Sequence, residues 1–160
     1  LKDLDNNIRV MIVGDGPAID ELKELSKSLN LEEYIIFTGK VDYKLIPSYY
    51  NLFDTMTSFS KTETQGLTII EALAASTPVV CVDDKSFREM VQDKYNGYLF
   101  NNKDEFIKDV LRLKNDKKLY NTMALNAKNS IHRYSKEVFA ADILKIYYKA
   151  IEVKKNKSKK

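Results

Sequence analysis

Residues 52–82 read LFDTMTSFSKTETQGLTIIEALAASTPVVCV. Three elements stand in that stretch. Residues 52–59 contain a strand, with Phe, Thr and Met suited to a half-buried pleated surface. Residues 67–75 carry apolar side chains at helical spacing and form a helix. Ser76, Thr77 and Pro78 mark its exit, because proline cannot continue a helix. Val79, Val80, Cys81 and Val82 are an unbroken apolar run of strand length. Strand, helix and strand joined by short connections make the crossover unit of a parallel sheet.

The pattern continues outward in both directions. Upstream, residues 8–13 (IRVMIV) are another short apolar run, closed by the turn Gly14-Asp15-Gly16-Pro17. Pro17 then suits the first position of a helix, and Ile19, Leu22, Leu25 and Leu29 follow at helical spacing. Residues 35–37 are a second strand, closed by Thr38 and Gly39, and residues 44–50 a short helix that Pro47 distorts or starts late. Downstream come a short helix at 86–91, the turn Asn96-Gly97, a short strand at 98–100 and two charged amphipathic helices at 104–114 and 117–130. A last helix spans 136–153, with Val138, Ala141, Ile143, Leu144, Tyr147 and Ala150 as its apolar positions. This alternation predicts an α/β fold: a Rossmann-like parallel sheet with helices on both faces, ending in C-terminal helices. Residues 1–153 read as one domain, and residues 154–160 as a basic, disordered tail.

Bulk properties narrow the function classes. A chain of 160 residues is long enough for a real core. Hydrophobic content of 44% with 31% charged residues fits a globular protein rather than a disordered one. A net charge of +3 is too small to argue for nucleic acid. The tail lysines Lys154, Lys155, Lys157, Lys159 and Lys160 form either a solvated end or a weak contact with an anionic membrane surface. Cys81 is the only cysteine, so no disulfide can form within the chain, and a reducing, cytoplasmic compartment is expected. Its apolar neighbours make it a core residue rather than a nucleophile. No apolar run has the length of a membrane span, and no signal peptide is present. The chain opens on Leu1 rather than Met and reads as a piece of something longer.

The chemistry concentrates between Glu63 and Glu71. In an open α/β sheet, ligands bind beyond the carboxyl ends of the strands, where Glu63 lies. The amides of Gly66, Leu67 and Thr68 would be unpaired at the helix start and open to an anion, and Gly66 has no Cβ to keep a phosphate away. Glu71 would sit about one turn in, where a carboxylate can accept from both hydroxyls of a ribose. Glu63, on the loop, could accept from sugar hydroxyls. A plainer reading fits the same residues: Thr68-Ile69-Ile70-Glu71 matches a capping box in which Glu71 folds back on the helix start.

Glu63 and Glu71, seven residues apart and followed by Ala72-Leu73-Ala74-Ala75-Ser76-Thr77-Pro78-Val79-Val80, resemble the signature of the retaining GT-B-fold glycosyltransferases of glycosyltransferase family 4. Gly14-Asp15-Gly16-Pro17, Phe37-Thr38-Gly39-Lys40-Val41 and Asn96-Gly97-Tyr98-Leu99-Phe100 resemble three further motifs of that family, in its order and spacing. The wording of residues 62–68 is similar to bacterial diacylglycerol glucosyltransferases. The resemblance implies one half of a GT-B fold: the donor-binding half of an enzyme that moves a hexose from a nucleoside diphosphate sugar, by default a UDP-sugar, to a lipid or surface-glycan acceptor. It implies that Glu63 contacts the donor sugar, that Gln65, Gly66, Leu67 and Thr68 flank the diphosphate, and that Glu71 holds the ribose. Gly39, Lys40 and Val41 would lie along the nucleobase, and Gly14 and Gly16 would let backbone pass close to donor or acceptor. It implies no metal and no cofactor beyond the donor, and a place on the inner face of the plasma membrane.

Some of the family's pattern is absent. A first strand ending in Gly-Arg, with a nearby Lys, usually clamps the pyrophosphate, and an N-terminal domain carries the acceptor; neither is in these residues. The chain alone is therefore expected to be inactive. Related alternatives are another nucleotide-sugar enzyme of the same fold, such as an epimerase or a phosphorylase-like protein, and a non-catalytic binding module. Other motifs are weaker. Gly14 and Gly16 could open a dinucleotide fingerprint, but Ile19 stands where a third glycine belongs. Asp83-Asp84 has no nearby ligand cluster and reads as a solvated loop. His132, the only histidine, lies near the end of a charged helix, where a cation complements the dipole.

Overall fold

The computed structural model describes residues 1–63 and 65–157. They form two compact units, Leu1–Tyr49 and Tyr50–Lys160. The sequence announces five strands running alternately with helices. It does not say which strands are neighbours, and the strands form two parallel sheets rather than one.

In the first unit, β1 (Val10–Val13) pairs in parallel with β2 (Ile35–Gly39), with α1 (Ile19–Ser28) between them in the chain. Helix α1 starts two residues after Pro17, so the proline belongs to the turn rather than to the helix. The register slips by one residue after Ile12, so that Val13 faces Gly39. Thr38 is the extra residue of that bulge, and its hydroxyl donates to the carbonyl of Gly39 at 3.0 Å. Leu22, Leu25 and Leu29, which follow at helical spacing, each stay 40–55% exposed. A two-stranded sheet and one ten-residue helix offer too little surface to bury each other. A 3-10 turn, Tyr43–Leu45, leads into the short helix α2 (Ile46–Tyr50), where Pro47 is tolerated because it lies in the first turn.

The second unit has the three-stranded parallel sheet β3-β4-β5, built from Met56–Ser58, Val79–Val82 and Gly97–Phe100. Strand β4 lies in the middle and is buried along its whole length, which explains its unbroken apolar run. Helix α3 (Leu67–Ala74) connects β3 to β4 and buries Ile69, Ala72 and Leu73 completely. Burying Ile69 and Leu73 stabilises the unit by about 1.5–3 kcal/mol each. Beyond β4 come α4 (Lys85–Arg88), α5 (Lys103–Asn115), α6 (Lys117–Ser130) and α7 (Lys136–Lys157).

Gly97 and Asn96 tie this unit together for different reasons. A Cβ on Gly97 would run into the carbonyl oxygen of Val79 and sit 2.7 Å from Val79 Cγ2, so β5 reaches β4 only without a side chain there. Asn96 is fully buried; its amide donates to the carbonyl of Met90 at 2.9 Å and to Ser130 Oγ at 2.8 Å, and its oxygen accepts from the amide of Gln92. The Asn96-Gly97 turn is thus a joint between β5, the preceding loop and α6.

Helix α7 runs past its expected end. Its apolar side chains, Leu144 and Tyr147 among them, are largely exposed. It continues to Lys157, so residues 154–157 of the expected tail are helical; adding a residue to a formed helix costs far less than nucleating one. Residues 158–160 lie outside the described residues.

Candidate functional site

Helix α3 opens on Gly66, whose backbone is left-handed at φ 58° and ψ 36°. Glycine is required there for two reasons internal to the fold. An L-residue is strained in that conformation. A Cβ would also point inward, 2.5 Å from Met90 Cε and 3.8 Å from Phe87 Cδ1. The sequence reading gave this glycine to a close-approaching phosphate; its missing Cβ instead makes room for Met90, itself only 6% exposed.

The carbonyl of Gly66 accepts from Ile69 and Ile70, which closes the first turn. Among the described residues nothing accepts from the amides of Gly66, Leu67 and Thr68, and Leu67 and Thr68 are exposed. Amides left without an intrahelical partner at a helix N-terminus are open to an anion.

Glu71, one turn further on, is half-buried. It does not fold back to cap the helix. Thr68 lies inside α3 rather than at its cap, and among the described residues no side chain caps the helix start. Glu71 Oε2 accepts instead from the phenol of Tyr50 at 3.0 Å. Burial raises the Tyr50 phenol well above its ordinary value, and the hydrogen bond to Glu71 and that carboxylate's charge add to the shift. The phenol therefore stays protonated and donates. Oε1 of Glu71 has no hydrogen-bond partner among the described residues. Tyr50 is a residue that sequence reasoning missed; it stands 21 positions before Glu71. Nothing in a one-dimensional pattern links the two.

The loop after β3 carries the remaining acids and amides. Glu63 is exposed and makes no hydrogen bond or ion pair among the described residues. Gln65 is exposed beside it, and Thr64 lies outside the described residues. On the next loop, Asp83 forms a two-pronged ion pair with Arg88, at 2.6 Å and 2.9 Å, and Asp84 caps α4 by accepting from the Ser86 amide. Both aspartates are occupied structurally, and their hydrogen bonds hold both carboxyls below the usual carboxylate range.

The other candidate residues belong to the first unit, at the carboxyl ends of its two strands. Gly14 (φ 132°) and Gly39 (φ 66°) need glycine for their backbone angles, and the Gly14 amide donates to the Gly39 carbonyl at 3.1 Å. The Gly16 amide donates to its neighbour Asp15 at 2.8 Å. A Cβ at any of these three glycines would meet open space. Lys40 is exposed and Val41 half-buried. The amides of Gly14 and Gly16 are thus occupied, and what the glycines leave open is space next to the backbone.

This geometry can be set beside known proteins. The family model described as glycosyl transferases group 1 matches residues 1–130. The chain belongs to the group 1 glycosyl transferases. Its α/β architecture of parallel sheets flanked by helices, ending in C-terminal helices, is that of the GT-B glycosyltransferases. The alpha-monoglucosyldiacylglycerol synthase of Acholeplasma laidlawii is 37% identical over 151 residues, which is 94% of this chain and 38% of that protein. A variant of S. aureus TarM, solved with fondaparinux, alpha-GlcNAc-glycerol and UDP, superimposes with a TM-score of 0.83 at 27% identity, over 91% of this chain and 30% of that one. The C-terminal domain of a group 1 glycosyl transferase from Francisella tularensis superimposes with a TM-score of 0.71 at 28% identity, over 81% of this chain and 71% of that one. The chain thus spans well under half of the curated relative it resembles.

Proposed function

We propose that this chain is the donor-binding half of a retaining glycosyltransferase that moves a hexose from a nucleoside diphosphate sugar to a lipid or surface-glycan acceptor. The observation that carries the reading is the start of α3: three amides without partners among the described residues, with a carboxylate one turn further in that keeps an oxygen open there. The likeness to a C-terminal domain of the same family supports the assignment to one half. The presence of UDP in the TarM complex supports a UDP-sugar, and the name of the Acholeplasma relative supports a lipid acceptor.

Each residue then has a task. The amides of Gly66, Leu67 and Thr68 stabilise the diphosphate, beside Gln65, as the bond to the sugar breaks and negative charge builds on the leaving group. Glu71 accepts from the ribose diol. Glu63 accepts from hydroxyls of the sugar and orients it; it is not assigned as a nucleophile. Gly39, Lys40 and Val41 are read as nucleobase contacts, and Gly14 and Gly16 as positions where backbone passes close to donor or acceptor. Catalysis is then mainly positioning and electrostatic stabilisation. Among the described residues no helix is long and apolar enough to cross a membrane. The basic end of α7 is read as a weak contact with an anionic lipid surface.

The test is a titration of UDP-, GDP- and ADP-sugars into the full-length protein and its Glu71→Ala and Glu63→Ala variants. Both substitutions should weaken binding or turnover by about tenfold or more, as expected when a charged hydrogen-bond partner is lost. If neither does, the assignment of the site is wrong. The 160-residue chain alone should show no transfer.

A further inference from the structure

We propose that Tyr50 is a positioning residue for the nucleotide site: its phenol fixes the carboxylate of Glu71 in the orientation that meets the ribose diol. The proposal rests on the reading of Glu71 as the ribose acceptor.

The argument begins with how firmly Tyr50 itself is held. Its side chain is 8% exposed, and its ring meets that of Phe53 edge-on, with centroids 6.1 Å apart. Its backbone carbonyl accepts from the hydroxyl of Thr77 at 3.0 Å. Thr77 is 2% exposed and follows directly on α3, where its amide closes the helix exit by donating to Ala72. Tyr50 is thus tied to the end of α3 through its backbone and to the middle of α3 through its phenol. It braces the helix at two points.

The phenol at one end of this brace meets a side chain that has no other anchor. No cation pairs with Glu71 among the described residues, and Tyr50 is its only side-chain hydrogen-bond partner there. A glutamate on a helix surface samples many rotamers, and a ligand that needs one of them must freeze the rest. The Tyr50 bond freezes them in advance. It occupies one lone pair of Oε2 and leaves Oε1 and the second lone pair of Oε2 to accept from a diol. Burial of the phenol keeps it protonated, so it acts as a donor across the working pH range. A purely structural hydroxyl could serve equally well against any backbone carbonyl. Here its partner is the acid one turn beyond the amides that have no partner among the described residues.

The perturbation is Tyr50→Phe, which removes one oxygen and keeps the ring packing. Binding of UDP, ADP and GDP to the full-length protein is compared with binding of their 2′,3′-dideoxy counterparts, for wild type, Tyr50→Phe, Glu71→Ala and the double variant. A general loss of fold or packing lowers both members of each ligand pair alike. Loss of positioning lowers the ribose form only. The expected result is that Glu71→Ala abolishes the preference for the ribose form. Tyr50→Phe should reduce that preference about 3- to 10-fold, the range of a single hydrogen bond with its ordering, and should have no effect on it in the Glu71→Ala background. If Tyr50→Phe weakens both forms equally, or neither, the positioning role is overturned and Glu71 keeps its assignment. If Glu71→Ala retains the preference, the ribose reading falls and the role of Tyr50 with it. If no nucleotide binds the wild-type protein, the donor-binding reading itself is overturned.

Discussion

Replacing Gly66 by alanine tests whether the fold, rather than a ligand, demands a glycine at the head of α3. Two costs follow from the geometry. The first is conformational: φ 58° and ψ 36° are left-handed, which costs an L-residue about 1–2 kcal/mol. The second is steric. The new Cβ would lie 2.5 Å from Met90 Cε and 3.2 Å from Met90 Sδ, and Met90 is buried, so it must repack. Overpacking of this kind costs about 1–3 kcal/mol, and the flexible end of a methionine favours the lower part of that range. The sum is about 2–4 kcal/mol, or a fall in melting temperature of roughly 6–15 °C for a chain of this size. Urea unfolding followed by far-UV circular dichroism, with no nucleotide present, measures it. A second arm separates the two costs. In a Met90→Ala background the steric part disappears, so Gly66→Ala should then cost only the backbone strain of about 1–2 kcal/mol. If Gly66→Ala in the wild-type background stays within about 0.5 kcal/mol of the parent, neither cost is real. The glycine would then need an explanation outside the folded chain.

Three more outcomes follow from the same structure. Gly97→Ala places a Cβ against the backbone of Val79, which cannot swing aside, so it should cost about 3 kcal/mol or more or prevent folding; a soluble variant with parental urea midpoint would contradict the close approach of β5 to β4. Cys81 is buried in β4, and that burial, with the nearby Asp83 charge, pushes its thiol up to about 12. It should resist alkylation at pH 8 in the native protein and react fully in urea; rapid native labelling would refute its core placement. Asp83 titrates below the usual carboxylate range because of its bond to Arg88, so its contribution to stability is complete above an ordinary aspartate value of about 3.9 and is lost as pH falls through the lower folded value. Asp83→Asn should therefore flatten the acid limb of a plot of urea midpoint against pH below about pH 4, and an unchanged limb would remove this ion pair from the account.

The α/β class, the order of strands and helices, and the acid–glycine–acid stretch were legible because each is a local pattern. Val79–Val82 is apolar at every position and had to be a buried strand. The helix read over residues 67–75 is α3, and its buried side chains Ile69, Ala72 and Leu73 lie at helical spacing. Leu22, Leu25 and Leu29 carry the same kind of signal and remain exposed, because periodicity reports an apolar stripe and says nothing of how much surface waits to cover it. The same limit applies to Leu144 and Tyr147 on α7.

The sequence by itself determined the elements, the family motifs and the residues with suitable chemistry. Only the tertiary structure decided which strands pair, why Gly66 must be glycine, and what Glu71 does with its carboxylate. The spacing that suits a capping box does not say whether another group reaches the Glu71 carboxylate before the helix start does. That group is Tyr50, 21 residues away and held in place by Thr77 beyond the far end of the helix. Hydrogen bonds of this kind are set by where the chain returns to in space. Local propensity carries no record of that return, so the orientation of the acid had to be read from the fold.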